Sequence, residues 1–280
     1  MESLIGKDGA NGLNGSNGSN GKSAYEDVQV SAGGQIAVEG RIVRRDGSVA
    51  EDFTGILYST LYDSAEDVLT RDNTGLGSYG YTAHNKVLFS GSDSVVNGRF
   101  SFTALVPMDI SYSNEKGLFS FFAVDSAHTG SAQGRYDDFT VGGTEQDVVN
   151  DGKGPEIKLY LNTPSFVEGD EVDSTPCLWA ELYDENGINT VGSGVGHDIV
   201  AIVDNSPNYT YNLNSLFDPE VGDYRRGTIM LPLDDLAPGE HSLLLRAWDL
   251  YNNSSVAKVT FVVNPDLAPE FVQLKGNPSP

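Results

Sequence analysis

Hydrophobic and polar residues alternate along most of the chain from Gln35 onward, which is the pattern of β-strands with one buried face. Asn97-Gly98 predicts a tight hairpin, because both residues tolerate positive φ. Helical spacing is almost absent, and the best candidate is SAEDVL at residues 64–69. The first half of the chain is therefore predicted to be all-β. Its clearest strands read QIAVEGRIV, GILYSTLYD, KVLFSG, GRFSFTALV and GLFSFFAVD.

A second series of short strands begins at Ile157. These strands read IKLYL, CLWAELYD, HDIVAIVD, GTIMLPL, HSLLLRAWD and VAKVTFVV. The apolar residues predicted to point inward are Leu178, Ala180, Leu182, Leu243, Leu245, Ala247, Ala257, Val259, Phe261 and Val263. About six or seven strands in roughly 110 residues is typical of an immunoglobulin-like sandwich. The predicted fold class is all-β, with two consecutive β-sandwich domains, the second of them immunoglobulin-like.

Glycine and proline divide the chain into four parts. Glycine recurs at every third position from Gly6 to Gly21, but without the proline of a collagen helix, so residues 1–24 are predicted to be a flexible Gly/Asn-rich linker. A weak trimerising stub is the alternative. The polar segment 145–157 marks the boundary between a first β-sandwich at 25–150 and a second at 151–264. Residues 265–280 are predicted to be an extended Pro-rich tail.

The charge of the chain excludes one class of partner. There are 40 acidic residues and 17 basic ones, giving a formal net charge of −23. Nucleic acid is therefore not expected as a partner, because phosphate binding needs clustered Lys and Arg. No apolar run approaches the roughly 20 residues of a membrane helix, so no transmembrane segment is expected. Residues 1–24 also lack the apolar run of a secretory signal.

The chain has one cysteine, Cys177, so it can form no internal disulfide and no thiolate metal cluster. Cys177 follows Pro176 at the start of a strand, with Trp179 and Glu181 on the same face. A catalytic cysteine needs an activating histidine in an open setting. We therefore interpret Cys177 as a structural thiol and expect no catalytic residues in this chain.

Two acidic turns offer oxygen ligands that suit calcium. Asp184 and Asn186 belong to the first turn, and Asp249 and Asn252 to the second. One hypothesis is that these four residues form a single calcium site near one end of the second sandwich. The alternative, which we favour, is that Asp and Asn make such turns without metal by accepting hydrogen bonds from their own backbone. No other cofactor is expected.

Two tryptophans lie on strand faces opposite the predicted core. Trp179 and Trp248 share these faces with Glu181 and Arg246. An outward aromatic pair can be a surface contact for a glycan or a protein. Burial beneath a loop or a neighbouring domain is the commoner outcome.

Several long strings resemble a known family. They are NGRFSFTALVPMDISYSNEKGLFSFFAVD, RYDDFTVGGT, ELYDENGINTVGSGVGHDIVAIVD and LAPGEHSLLLRAWDLYNNSS. In this order they resemble the C-terminal, non-catalytic region of PorU-type sortases of the type IX secretion system, which belong to the gingipain-like cysteine peptidases. The resemblance covers roughly residues 35–263.

The resemblance implies a surface enzyme, at the extracellular face of the outer membrane, that removes the C-terminal sorting signals of secreted cargo. Its His–Cys pair belongs to an upstream peptidase domain, and no residue of this sequence matches that motif. The implied role of this region is a structural mount and an interaction surface. The implied partners are the upstream peptidase domain, other secretion-system proteins and cargo.

Two alternatives remain open at this point. One is an adhesin-like module that binds glycan or protein at the cell surface, with Trp179 and Trp248 as contacts. The other is the C-terminal region of a secreted gingipain-like cysteine protease.

Overall fold

The computed structural model describes residues 2–7, 28–73, 75, 77–191 and 196–267, and residues 2–7 as backbone only. The chain divides into two compact units, residues 1–149 and 150–280. The division lies inside the polar segment 145–157, where the sequence predicts the domain boundary. Residues 8–24 of the predicted linker and 268–280 of the predicted tail lie outside the described residues. Within the described part of the chain, no helix is long and apolar enough to cross a membrane.

The first unit is built from short strands. They are β1 (Glu2–Lys7), β2 (Gln29–Ala32), β3 (Gln35–Arg41), β4 (Gly55–Tyr62), β5 (Glu66–Leu69), β6 (Gly80–Ala83), β7 (Val87–Val95), β8 (Arg99–Leu105), β9 (Glu115–Lys116), β10 (Leu118–Asp125), β11 (Ser131–Tyr136) and β12 (Thr140–Thr144).

Two larger sheets of this unit pack through phenylalanines. Their strand orders are β1-β3-β8 and β11-β10-β4-β7, and smaller sheets have the orders β2-β12-β9 and β5-β6. Phe102 of β8 stacks on Phe89 of β7 at a centroid distance of 6.0 Å and meets Phe119 of β10 at 6.5 Å. These rings join the two larger sheets. Because the elements of this unit are strands, the all-β prediction is confirmed.

Two local predictions for the first unit are wrong. Residues 2–7, placed in the flexible linker, form β1, which pairs antiparallel with β3. Residues 66–69, inside the helical candidate, form β5, which pairs with β6. In both places a neighbouring strand supplies the backbone hydrogen bonds, and this outweighs weak local preference.

The hairpin predicted at Asn97-Gly98 is confirmed. Both residues have positive φ, 50° and 69° respectively. A Cβ at position 98 would lie 2.4 Å from the backbone oxygen of Ala50. Glycine is therefore required at position 98 by conformation and by close approach.

The second unit has strands and two short 3-10 turns. The strands are β13 (Glu156–Leu161), β14 (Glu171–Val172), β15 (Cys177–Tyr183), β16 (Val200–Val203), β17 (Thr210–Asn212), β18 (Phe217–Glu220), β19 (Asp223–Pro232), β20 (Gly239–Trp248) and β21 (Ser254–Val263). The 3-10 turns are Pro207–Tyr209 and Asn214–Leu216.

These strands form two sheets, with the orders β13-β15-β19-β18 and β14-β21-β20-β16-β17. With the short β14 and β17 set aside, this is the strand order of an immunoglobulin-like sandwich. Side chains of both sheets meet in one apolar core. The predicted inward residues of β15 and β20 are all buried there, namely Leu178, Ala180, Leu182, Leu243, Leu245 and Ala247.

Candidate functional site

The two acidic turns of the second unit lie side by side. Asp184 follows β15 and Asp249 follows β20, so the turns extend from opposite sheets. The backbone N–H of Leu250 donates to the carbonyl of Gly187 at 3.2 Å. Ile188 and Asp249 also form an isolated antiparallel bridge. The fold therefore brings together the turns that the sequence predicts to share a site.

A glycine allows this close approach. Gly187 has a φ of +84°, which favours glycine. A Cβ at this position would lie 2.8 Å from the Tyr224 ring and 2.9 Å from a methyl group of Leu250. Any larger residue would push the two turns apart.

The Asp249 carboxylate is occupied by its own turn. Its Oδ1 accepts hydrogen bonds from the backbone N–H of Tyr251 at 3.0 Å and of Asn253 at 2.6 Å. Its Oδ2 accepts one from the side-chain Nδ2 of Asn253 at 2.7 Å. These bonds stabilise the turn without a metal ion.

The carboxylate of Asp184 is less well supplied with hydrogen bonds from its turn than that of Asp249. Its side chain is buried, with the residue 6% exposed, and its Oδ1 accepts one hydrogen bond from Asn186 N–H at 2.7 Å. Burial is the main cause that raises the pKa of Asp184 to about 7, and the nearby carboxylates of Asp249 and Asp151 contribute to the rise. Burial also raises the pKa of Asp249, although the hydrogen bonds from Asn253 oppose the change. Near pH 7 the Asp184 carboxyl group is therefore protonated in about half of the molecules.

The four calcium candidates are split between these two adjoining turns. Asp184 and Asp249 are buried, and the side-chain oxygens of Asn186 and Asn252 are buried too. In the described ranges, no group of three or more His, Cys, Asp or Glu side chains could hold a metal ion. Because N–H donors already occupy the Asp249 oxygens, the geometry favours metal-free turns. The calcium site itself stays a prediction.

The two tryptophans both point away from the core, but they do not form a pair. Trp179 lies on β15 and Trp248 on β20, in different sheets. Since the outward faces of two packed sheets look in opposite directions, the two residues do not share one surface. A role of either tryptophan as a surface contact stays a prediction. Alternation along a strand predicts which way a side chain points, but not to which sheet the strand belongs.

Each tryptophan has neighbours of its own. Trp179 is flanked across the strands by Tyr160 and Met230. Trp248 lies 4.4 Å from the His197 ring, measured between centroids, and its ring lies 5.7 Å from the Arg246 guanidinium carbon. Both indole N–H groups are buried, and neither has a hydrogen-bond partner among the residues that the structure describes. Both side chains are therefore half-buried within their own sheets.

Cys177 has the setting of a structural thiol. Its Sγ donates to the backbone oxygen of Leu178 at 3.5 Å, and its N–H donates to Asn162 Oδ1 at 2.8 Å. Burial raises the pKa of the Cys177 thiol, the opposite of what a nucleophile needs. Imidazole contacts among the described residues include those of His84 with the Asp63 carbonyl, of His197 with Trp248, and of His241 with Asp204, Ala237 and Phe261.

The first unit contains a buried polar network that the sequence pattern does not predict. Asp63 is 1% exposed, and its Oδ2 accepts a hydrogen bond from the Ser111 N–H at 2.8 Å. Its Oδ1 accepts from Ser111 Oγ at 2.7 Å and from Ser64 N–H at 2.7 Å, while Lys86 Nζ lies 3.5 Å from Oδ2. The members are too far apart in sequence to form a motif.

A second missed residue is Asp93 on β7. It pairs with Leu57, which is fully buried, so its side chain points toward the core. Burial raises the pKa of Asp93 to about 6. The alternation in residues 87–95 places Asp93 on the same face as Phe89 and Val95, a signal that could have identified it.

The chain is similar to a solved structure of known identity. The chain is similar to dimeric latent PorU from Porphyromonas gingivalis, with 32% sequence identity, a TM-score of 0.53 and coverage of 87% of this chain. It spans 23% of the PorU chain, so it corresponds to a PorU-like region. The exo-chitosanase CsxA of Amycolatopsis orientalis aligns with 80% of this chain and 25% of its own, but at 13% identity and a TM-score of 0.22 it carries no argument. No known family description matches the chain, and no curated protein does.

Proposed function

We propose that this chain is the non-catalytic β-sandwich portion of a PorU-type sortase of the type IX secretion system. In this role it holds the peptidase domain as a structural mount. It also offers a surface to cargo or to other secretion-system proteins. The observation that carries the proposal is the similarity to PorU over 87% of this chain at 32% identity.

The proposed division of labour rests on the surroundings of the one thiol. Cys177 contacts a backbone oxygen and has a raised pKa, whereas a catalytic cysteine needs a lowered one. Its strand supplies three residues to the apolar core, which suits a structural element. We therefore assign the chemistry of sorting-signal removal to a part of the sortase outside this chain.

The proposed location is the extracellular face of the outer membrane, where a sortase meets cargo after export. The charge of −23 is compatible with this setting, because a strongly charged surface stays soluble and resists nonspecific association. The proposed partners are the peptidase domain of the same sortase, the secretion-system proteins and cargo.

A binding and activity assay tests both halves of the proposal. The purified chain is mixed with the peptidase portion of a PorU-type sortase that lacks the corresponding region. We expect the two to co-elute in size-exclusion chromatography and the peptidase portion to unfold at a higher temperature in the mixture. An unrelated β-sandwich of similar negative charge is the control for nonspecific effects.

The same chain is then incubated alone with a peptide carrying a C-terminal sorting signal. We expect no cleavage. Cleavage by the chain alone that persists in Cys177→Ala would overturn the non-catalytic assignment. A chain that binds neither the peptidase portion nor cargo would overturn its role as mount and interaction surface.

A further inference from the structure

An exposed aromatic pair lies at the centre of one sheet face in the first unit. Tyr58 on β4 and Phe122 on β10 are direct cross-strand partners. They are 43% and 41% exposed, and their rings are stacked with centroids 6.5 Å apart and planes inclined by 27°. The next outward pair on these strands, Ile56 and Val124, is half-buried beside them. We call these four residues the aromatic platform.

Small uncharged polar residues surround the aromatic platform. They are Thr60, Ser90, Ser92, Ser94, Ser120, Ser131 and Gln133, on the same outward face of the four strands β11-β10-β4-β7. Ser92 lies directly across from Tyr58, and Gln133 directly across from Phe122. Serine side chains are short, so the two rings are accessible from the sheet edge on the β7 side. Hydroxyl and amide groups can both donate and accept hydrogen bonds.

The face that carries the aromatic platform has few charged residues, although the chain as a whole is strongly charged. No aspartate or glutamate occurs among the outward residues of these four strands, although the chain contains 40 acidic residues. Arg135 is the one charged outward residue there, and it pairs with Asp137. The outer face of the sheet β13-β15-β19-β18 differs, because Lys158 pairs with Glu181 on it.

We propose that the aromatic platform binds a neutral glycan chain, with sugar rings packed against Tyr58 and Phe122 and their hydroxyl groups bonded to the serine and glutamine side chains. An uncharged ligand is not repelled by a net charge of −23, whereas a second copy of this chain is. Protein partners usually gain orientation from charged pairs around the contact, and this face offers almost none. The proposal is independent of the sortase assignment, since it uses the chemistry of this face alone.

Affinity electrophoresis of the full chain tests the proposal. The probes are soluble hydroxyethyl cellulose, mannan, xylan, laminarin and dextran, each cast in turn into a native gel. We expect one or more of them to slow the chain. Because both rings would lose their contact with the sugar, replacing them should weaken binding by at least about tenfold, which corresponds to about 1.4 kcal/mol.

The double variant Tyr58→Thr with Phe122→Thr is the test, because threonine keeps the preference for a strand. The matched control is Tyr81→Thr, on β6 of the same unit, where the tyrosine is 46% exposed. An unchanged circular dichroism spectrum verifies that both variants fold. The proposal holds if retardation is lost in the double variant, kept in the control and insensitive to added salt.

Three results would overturn the proposal that the aromatic platform binds a glycan. The first is migration unaffected by any of the five polysaccharides. The second is retardation that salt abolishes, which would indicate an electrostatic contact. The third is a concentration-dependent dimer, seen by sedimentation velocity in the unmodified chain and lost in the double variant, which would assign the face to a second copy of the chain.

Discussion

Asp184 and Asp249 are both buried, and the charge of one acts on the other, although the two residues follow strands of opposite sheets. The charge of Asp249 adds to burial in raising the pKa of Asp184. Three hydrogen bonds from its own turn stabilise the Asp249 carboxylate, whereas the Asp184 carboxylate accepts one from the Asn186 N–H. Asp184 is therefore the member of the pair that takes up a proton.

Removing the charge of Asp184 should stabilise the second unit at alkaline pH. The pKa of Asp184 rises from 3.8 to about 7 on folding, so the folded state binds the proton more tightly. Its contribution to stability is present below pH 3.8 and is lost as the pH rises through 7. Asp184→Asn keeps an acceptor for the Asn186 N–H, and we expect it to add about 1 to 2 kcal/mol at pH 8 and little at pH 4. Both tryptophans lie in the second unit, so their fluorescence follows its unfolding.

The matched control is Glu185→Gln, which removes the same charge from an exposed neighbour. It should change the stability little at either pH. If Asp184→Asn lowers the stability equally at pH 4 and pH 8, Asp184 is not protonated in the folded chain and the argument from burial is wrong.

Calcium should not stabilise the second unit. The oxygens of Asp249 already accept three hydrogen bonds, and a bound ion would have to replace or share them. We expect the unfolding temperature followed by tryptophan fluorescence to be the same in EDTA and in millimolar calcium. Magnesium serves as the control for a general effect of divalent ions.

The opposite result would establish the site predicted from the two turns. In that case calcium would raise the unfolding temperature while magnesium would not, and the rise would disappear in Asp184→Asn and in Asn252→Ala.

The sequence predicts local features of the second unit well. The turns containing Asp184 and Asp249 are predicted at strand ends because polar turn residues follow alternating apolar runs. The outward direction of Trp179 and Trp248 follows from the same alternation. Assignment of their strands to different sheets depends on which strands pair, and hydrogen bonds between distant backbone segments decide that.

Long-range pairing also explains what the sequence did not predict in the first unit. β2 pairs with β12 in parallel, across more than a hundred residues of chain. The network of Asp63 joins residues 63–64 to Lys86 and Ser111. No periodic pattern marks these contacts, because each depends on the closure of the sheets.

Loss of the Asp63 carboxylate should destabilise the first unit. Asp63→Ala would leave the backbone donors of Ser64 and Ser111 without their acceptor and would leave Lys86 without its counter-charge. Buried donors that lose a partner cost about 1 to 3 kcal/mol each, so we expect a loss of about 2 to 4 kcal/mol. Differential scanning calorimetry measures it, since the first unit contains no tryptophan.

Asp67→Ala is the control, because Asp67 is an exposed acidic residue on β5 of the same unit. It should leave the calorimetric transitions unchanged. If the first unit of Asp63→Ala unfolds at the same temperature as that of Asp67→Ala, the network contributes nothing to stability.

Cys177 should react slowly in the folded chain. Its thiol is half-buried and its pKa is raised, so little thiolate is present near neutral pH. We expect iodoacetamide to alkylate the native chain at pH 7.5 at least about tenfold more slowly than the chain unfolded in urea, because unfolding exposes the thiol and returns its pKa to the ordinary range. Mass spectrometry of the intact chain follows the modification, since there is one thiol. Alkylation of the native chain faster than that of the unfolded one would mean that the fold activates Cys177, and its assignment as a structural thiol would then be wrong.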